Sequence, residues 1–254
     1  MRSTILKMVR KLGYDIIHTD ESGRERFPEA TPAELAIMRE AAPFTLTSME
    51  RRWALVQAVK YIVGRNIEGA FVEAGVWRGG SAFVGARMLA QLGHADREMW
   101  LYDTYEGMSA PTEDDVAAQT GANAAVKFSA TQTGEDSADW CRASLQDVQN
   151  TMRISGYPAE KMHYVVGKVE DTLAVAGQYP EKIALLRLDT DWYESTKAEM
   201  EILFPRLVPG GILIIDDYGH WQGAKKAVDE YLEREGLTYL MTRIDYTGRM
   251  LIKA

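Results

Sequence analysis

Leu185-Leu186-Arg187-Leu188-Asp189-Thr190-Asp191, followed after a helix-length stretch by Gly211-Ile212-Leu213-Ile214-Ile215-Asp216-Asp217, decides the fold of this chain. Each segment is a short apolar run ending in acids, and Ser195 to Leu207 between them has the length of one helical crossover. Such a crossover joins parallel neighbours. Parallel neighbours bring their carboxyl ends side by side, on the edge where open α/β sheets bind ligands. Asp189, Asp191, Asp216 and Asp217 therefore converge on one edge. Carboxylates gathered this closely repel one another unless a hard divalent cation sits among them, and magnesium or manganese suits such oxygen donors.

Working outward, apolar runs alternate with helical stretches from Ala70 onward. The strands read from the sequence are Ala70 to Glu73, Met99 to Tyr102, His163 to Val166, Ile183 to Leu188 and Ile212 to Ile215, with Tyr239 to Asp245 and Met250 to Ile252 as a terminal hairpin-like pair. The pattern predicts an α/β fold with a doubly wound, mostly parallel, seven-stranded Rossmann-like sheet and an antiparallel C-terminal strand. Residues 1–65 differ and read as a helical N-terminal extension of the same domain, residues 66–254 being its main body. Thr31-Pro32-Ala33-Glu34 carries the cap, first-turn proline and acid of a helix start, and Met49, Trp53, Val56 and Val63 keep helical spacing. Arg2, Lys7, Arg10 and Lys11 interleave with Ile5, Leu6, Val9 and Leu12 in a basic amphipathic helix, expected to pack on its own domain or on a second subunit rather than on a membrane. Residues 105–139 are rich in Ala, Thr, Gly and Asp, with Lys127 as their one basic residue, and read as a mobile active-site cover.

The chain has 254 residues, 46% hydrophobic and 26% charged, enough for one large α/β core. A net charge of −8 offers no general attraction to nucleic acid or an anionic membrane, so neither is expected as a partner. Cys141 alone makes no internal disulfide and no zinc cluster, which points to the cytoplasm. Ile5 to Val9, broken by Lys7, is too short for a signal-peptide core, and no apolar stretch reaches the roughly 20 residues of a membrane span.

The first βα turn is the second informative stretch. Phe71-Val72-Glu73-Ala74-Gly75-Val76-Trp77-Arg78-Gly79-Gly80-Ser81 puts an acid at a strand end, glycine two residues on, and Gly-Gly-Ser before a helix. Glycines there let the backbone pass under a ligand and expose helix N-terminal amides. The dinucleotide spacing G-x-G-x-x-G is absent; E-x-G-x-x-x-G is the turn of S-adenosyl-L-methionine enzymes, with the acid near the amino acid end of the cofactor. Asp103 ends the next strand, 30 residues after Glu73, where a carboxylate can accept hydrogen bonds from a ribose diol. Leu207-Val208-Pro209-Gly210-Gly211 is a further turn common in this enzyme class.

Glu73 to Ser81, Tyr102-Asp103-Thr104-Tyr105-Glu106-Gly107-Met108, Leu188-Asp189-Thr190-Asp191-Trp192-Tyr193-Glu194-Ser195-Thr196 and Ile215-Asp216-Asp217-Tyr218-Gly219 together resemble the macrocin O-methyltransferase (TylF, MycF, NovP) family, over roughly residues 45–252. The resemblance implies a homodimer or higher homo-oligomer that uses S-adenosylmethionine and Mg2+ (or Mn2+) to methylate a sugar hydroxyl, typically one of a vicinal diol. Its motif positions imply Asp189, Asp216 and Asp217 as metal ligands and Asp191 as the base. Thr45, Glu73, Gly75, Trp77, Ser81, Asp103, Ser144 and Asp171 fall where the family contacts its cofactor. Lys168-Val169 stands where the family usually has an aromatic pair near the adenine, and the N-terminal 40 residues match no antibiotic-pathway pattern, so the acceptor ranges from a glycosylated small molecule to a glycolipid or polysaccharide.

The chemistry accords with the resemblance. Methyl transfer from a sulfonium to an alcohol needs nucleophile, methyl carbon and sulfur in line, and a metal beside the hydroxyl lowers its pKa while a carboxylate takes the proton. Tyr193, Tyr218 and His220 are acceptor-contact candidates, as are Trp192 and Trp221. His18, His94 and His163 have no partner spacing. A catechol-type Mg-dependent O-methyltransferase would share the acids and the turn but carry a lysine just after the first metal acid, where this chain continues Thr190-Asp191-Trp192-Tyr193. A glycosyltransferase using Asp189-Thr190-Asp191 leaves Glu73 to Ser81 and Asp216-Asp217 without a role, and a non-catalytic binding module has no need of all four acids.

Overall fold

The computed structural model describes residue 11 and residues 26–254, so the basic amphipathic stretch lies outside the described residues apart from Lys11. Helix α1 (Pro32–Glu40) begins with a capping box: Thr31 Oγ1 accepts from the Glu34 amide at 3.3 Å and Glu34 Oε2 accepts from the Thr31 amide at 2.7 Å. Helix α2 (Met49–Gly64) starts at Ser48, whose Oγ accepts from the Arg51 amide and donates to Asp245 Oδ2 at 2.6 Å. Leu35, Met38, Val56, Val59 and Ile62 enter one core with Phe71, Phe83, Leu185 and Ile212. These helices thus share the core of the sheet, because their apolar stripes have nowhere else to be buried.

Strand β1 (Ala70–Ala74) is buried at every residue and leads through α3 (Gly80–Gln91) into β2 (Met99–Asp103). The long connection after β2 holds α4 (Ala124–Thr131) and a hairpin of β3 (Gln132–Gly134) with β4 (Ser137–Ala138). Then come α5 (Leu145–Ser155), β5 (Met162–Val166), the short α6 (Val169–Thr172), β6 (Ile183–Leu188), α7 (Tyr193–Ile202), β7 (Leu207–Ile215), α8 (Gln222–Arg234), β8 (Thr242–Arg243) and β9 (Arg249–Ile252). The seven-stranded sheet runs β5-β2-β1-β6-β7-β9-β8. Pairs from β5 to β7 are parallel, and β9 is antiparallel to both β7 and β8. Alternate residues face opposite cores: Phe71, Leu185 and Ile212 one, Val72, Leu186 and Leu213 the other, where Met200 and Val228 of the crossover helices pack. The order in which strands are added reverses between β1 and β6, which puts the ligand crevice at their carboxyl ends. Among the described residues no helix is long and apolar enough to cross a membrane.

Three boundaries differ from the sequence reading. Strand β7 starts at Leu207, before the expected Ile212: a register irregularity between these two residues accommodates Gly210 at φ +81°, and the Gly210 amide still donates to Lys253 O at 2.7 Å. The crossover helix ends at Ile202, and Phe204–Arg206 with Pro205 closes it as a 3-10 turn. Of Tyr239 to Asp245 only Thr242–Arg243 is strand, opposite Met250 and Arg249.

Register sets the site. Glu73 pairs with Leu101 on one side and Arg187 on the other, Arg187 pairs with Ile214, and Leu188 pairs with Ile215. The acids after Leu188 and Ile215 therefore leave the sheet at one level. The segment expected as a cover crosses above them. Asp115, fully buried, accepts from the Thr112 amide at 2.6 Å and from the Tyr193 amide at 2.8 Å, and Gln222 and Ala118 exchange backbone bonds with Val116 and His220.

Candidate functional site

A cavity of about 510 Å³ opens at the carboxyl ends of β1, β2, β6 and β7. Thr45, Glu73, Gly75, Trp77, Ser81, Asp103, Asp189, Asp191, Asp216, Asp217 and His220 all line it. Its floor is the glycine turn. Gly75 has φ +82°, and a Cβ there would stand 1.9 Å from Asp189 O, so only glycine lets the β1 turn touch the end of β6. A Cβ on Gly80 would meet Thr45 Cβ at 2.5 Å, which seats the segment before α2 on the start of α3. Asp103 braces the turn, its Oδ2 accepting from the Val76 and Trp77 amides at 2.7 and 2.9 Å and its Oδ1 from Tyr105 at 2.8 Å. Burial pushes the Asp103 carboxyl up and these amides pull against it. Trp77, Cys141 and Asp191 line the cavity in the left-handed region, at φ +47°, +52° and +72°, a concentration of strain that the surrounding packing has to hold.

Two arginines organise the acids. Arg187, buried in the middle of β6, donates to Glu73 Oε1 at 2.5 Å and to Asp216 Oδ1 at 2.7 Å, and pairs with Asp189 Oδ2 at 2.8 Å. Burial works against its charge, but Asp189, Asp216 and Glu73 outweigh burial and keep the guanidinium protonated. Arg51, from α2, takes the other oxygen of Asp216 and also pairs with Asp245 at 3.1 Å. Asp216 is thus held at both oxygens, whereas Asp189, Asp191 and Asp217 bring a carboxylate oxygen each within 4.8 Å of one another. Burial, with the neighbouring acids, raises Asp189 and Asp217 well above the carboxylate range, and burial first, then Asp189, pushes Asp191 to about 7 although Asp217 hydrogen-bonds it. Asp217 Oδ2 is buried with no partner. An acidic trio with an orphaned oxygen is a donor set that fits a hard divalent cation. Glu73 Oε2 is also orphaned, and burial pushes its carboxyl to about 7 against Arg187, leaving an acceptor at the cavity floor.

Other sequence candidates lie elsewhere. Ser144 caps α5, its Oγ accepting from the Asp147 amide and donating to Asp147 Oδ2 at 2.7 Å, and it does not line this cavity. Asp171 is exposed on α6, and the preceding Glu170 faces the cavity in its place, because one residue step on a helix turns the side chain about 100° away. Tyr193 and Tyr218 point to α8, their hydroxyls donating to Glu230 and Asp229 at 2.7 Å each. Trp192 is buried, donating to Ser109 O at 3.0 Å, and Trp221 with Trp140 forms the aromatic wall of the cavity. His220 packs its edge on Trp221 at 4.7 Å, and burial, then Arg51 and Lys127, hold it below the usual histidine range. Sequence reading gave no site role to Arg187, Arg51, Trp140 or Lys127, the last noted only as the one basic residue of the cover. Arg187 did carry a signal: a charge inside Leu-Leu-Arg-Leu must be buried, and a buried guanidinium needs acids around it.

The profile of one family, described as macrocin-O-methyltransferase (TylF), matches residues 6–253. The chain belongs to that family. Among relatives, the 8-demethyl-8-(2,3-dimethoxy-alpha-L-rhamnosyl)-tetracenomycin-C 4'-O-methyltransferase of Streptomyces olivaceus is 29% identical over 97% of this chain and 91% of its own. The mycinamicin III 3''-O-methyltransferase of Micromonospora griseorubida is 30% identical over 80% of this chain and 76% of its own. The solved O-methyltransferase NovP superposes with a TM-score of 0.70 at 28% identity, covering 83% of this chain and 82% of that one. This macrocin O-methyltransferase family member is therefore an S-adenosylmethionine-dependent O-methyltransferase, built on the mostly parallel seven-stranded sheet expected from its strand pattern.

Proposed function

We propose that this enzyme moves the methyl group of S-adenosylmethionine to a hydroxyl of a sugar diol, on a glycosylated small molecule or a glycan, with a divalent metal at the strand-end acids. The observation that carries the reading is that the Asp189, Asp191 and Asp217 cluster and the Gly75 turn face one cavity. Relatives whose names specify methylation of a rhamnosyl group at the 4' position and of mycinamicin III at the 3'' position support a sugar acceptor.

In this reading the cofactor rests on the glycine turn, with Thr45, Trp77 and Ser81 around it, Glu73 Oε2 at its amino acid end and Asp103 toward its ribose. Asp189 and Asp217 already face each other and would hold magnesium or manganese; Asp216 joins them on giving up Arg51. The ion, when bound, acidifies the acceptor hydroxyl and neutralises the acids. S-adenosylmethionine, when bound, would supply a methyl group to the acceptor oxygen, the electron pair of the broken carbon–sulfur bond staying on sulfur to leave S-adenosylhomocysteine, and Asp191 would take the hydroxyl proton. Ser144 and Asp171, cofactor contacts by the family resemblance, do not line the cavity and take no part in this reading. The cover over residues 105–139 opens for exchange of ligands. A homodimer in the cytoplasm completes the reading.

Chelation tests it. Turnover should vanish in EDTA and return with added magnesium, while calorimetric binding of S-adenosylmethionine persists; full turnover in metal-free buffer overturns the metal assignment.

A further inference from the structure

The cavity that holds the acids also holds three cationic side chains, Arg51, Lys127 and Lys168, and they are not equivalent. Arg51 is neutralised by Asp216 and Asp245. Lys168 is neutralised by Asp136 of the cover, whose other oxygen accepts from the Ala110 amide at 2.7 Å. Lys127 pairs with no described carboxylate: its Nζ sits 4.0 Å from the centre of the Trp140 ring. That ring is fixed edge-on against Trp192 at 5.5 Å and lies 6.1 Å from Trp221, so the ammonium rests on a rigid aromatic wall. Helix α4 holds Lys127 there, capped by Asn123 through the Ala125 amide at 2.8 Å and anchored by buried Phe128. Cys141 lines the same cavity: burial raises its thiol, Asp191 adds to the rise and Lys127 opposes it. The second cavity, at the opposite end of the sheet beside Trp100, also holds a cation without a carboxylate partner, Arg97, but the guanidinium is tied to backbone, its Nη groups donating to Gly69 O and to Ile67 O at 2.9 Å, while Lys182 there pairs with Glu68.

We propose that the acceptor carries an anionic group, a carboxylate or a phosphate, that pairs with Lys127 while its sugar lies along Trp140 and Trp221. The inference rests on the sugar O-methyltransferase reading and adds the charge of the substrate. A strongly acidic cavity repels anions in general, so an unpaired cation beside the aromatic wall selects where an anion can enter and how the ring is turned. It also accounts for the one basic residue in an otherwise acidic cover.

The experiment compares matched acceptors with wild type, K127A and K127E: neutral methyl hexosides, the corresponding methyl hexuronides, and the corresponding hexose phosphates. Wild type should prefer an anionic member of a set, and whether the uronide or the phosphate wins distinguishes the two sources of charge. K127A should raise the ratio of KM for that anionic acceptor to KM for its neutral counterpart about threefold to tenfold, as for a partly exposed ion pair, and K127E should raise it further. Calorimetric binding of S-adenosylmethionine to each variant reports that the fold and cofactor site persist. Methylation of neutral and anionic acceptors with equal KM, or a KM ratio unmoved in both variants, overturns the anionic acceptor and leaves the sugar reading standing. No methylation of any sugar by wild type that binds the cofactor overturns the sugar reading, and this inference with it.

Discussion

Arg187 on β6 and Asp216, just past the end of the adjacent parallel strand β7, have Nη2 and Oδ1 2.7 Å apart, and this buried pair is the hinge of the site's electrostatics. The same guanidinium reaches Glu73 on β1, so acids from three strands are gathered by one cation supplied by the protein itself.

Removing that cation leaves three acids close together without it. Arg187→Ala should lower stability by about 3–5 kcal/mol, the range for breaking a buried pair from one side, measured by urea unfolding. Arg187→Lys keeps the charge but loses the fork that reaches both Glu73 and Asp216, and should fall between the two. A loss under 1 kcal/mol in the alanine variant would show that the acids are satisfied without Arg187.

Asp191 and Asp217 share the trio but have separate tasks in the proposed reaction. Asp191→Asn keeps size and one acceptor oxygen and cannot take a proton, so kcat should drop roughly 10²- to 10⁴-fold with cofactor binding retained. Asp217→Asn should weaken the metal and recover activity as magnesium is raised. Rescue of Asp191→Asn by magnesium would move Asp191 into the ligand set and its proton elsewhere.

Glu199, fully buried on α7, accepts from Thr190 Oγ1 at 2.9 Å, and its other oxygen has no partner. Burial raises its carboxyl well above the usual range. Through Thr190 this carboxyl holds the Asp189-Thr190-Asp191 loop from below. Glu199→Gln preserves the acceptor and should retain activity within a few-fold, whereas Glu199→Ala frees the loop and should lower kcat more than it raises KM for S-adenosylmethionine. Equal kcat in both variants refutes a positioning role.

Glu34 gives a pH signature distant from the site. Burial would raise its carboxyl, but Lys60 and the Thr31 amide and hydroxyl outweigh burial and lower it below 4.5. A carboxyl lowered on folding stabilises above its unfolded pKa, and that stabilisation is lost as pH falls through the lower folded value. Glu34→Gln should therefore cost about 1 kcal/mol at pH 7, with the difference from wild type closing below about pH 4. A difference that is constant from pH 7 to pH 3 in thermal unfolding would contradict the pairing.

Apolar strands with acids at their ends, a glycine turn of fixed spacing and a helix-length crossover are local features, so the sheet, its switch point and the meeting of Asp189 with Asp217 were legible in the chain by itself. The order in which the acids are used was not. Asp216 is taken up by Arg187 from the next strand and Arg51 from a helix far upstream, and Asp191 completes the trio because its backbone turns into the left-handed region at φ +72°. Likewise Glu170 replaces Asp171 at the cavity, Trp140 and Lys127 form its wall, and Tyr193 and Tyr218 turn to α8. Those outcomes depend on register, helix rotation and long-range pairing, which arise only when distant segments compete for the same buried charges.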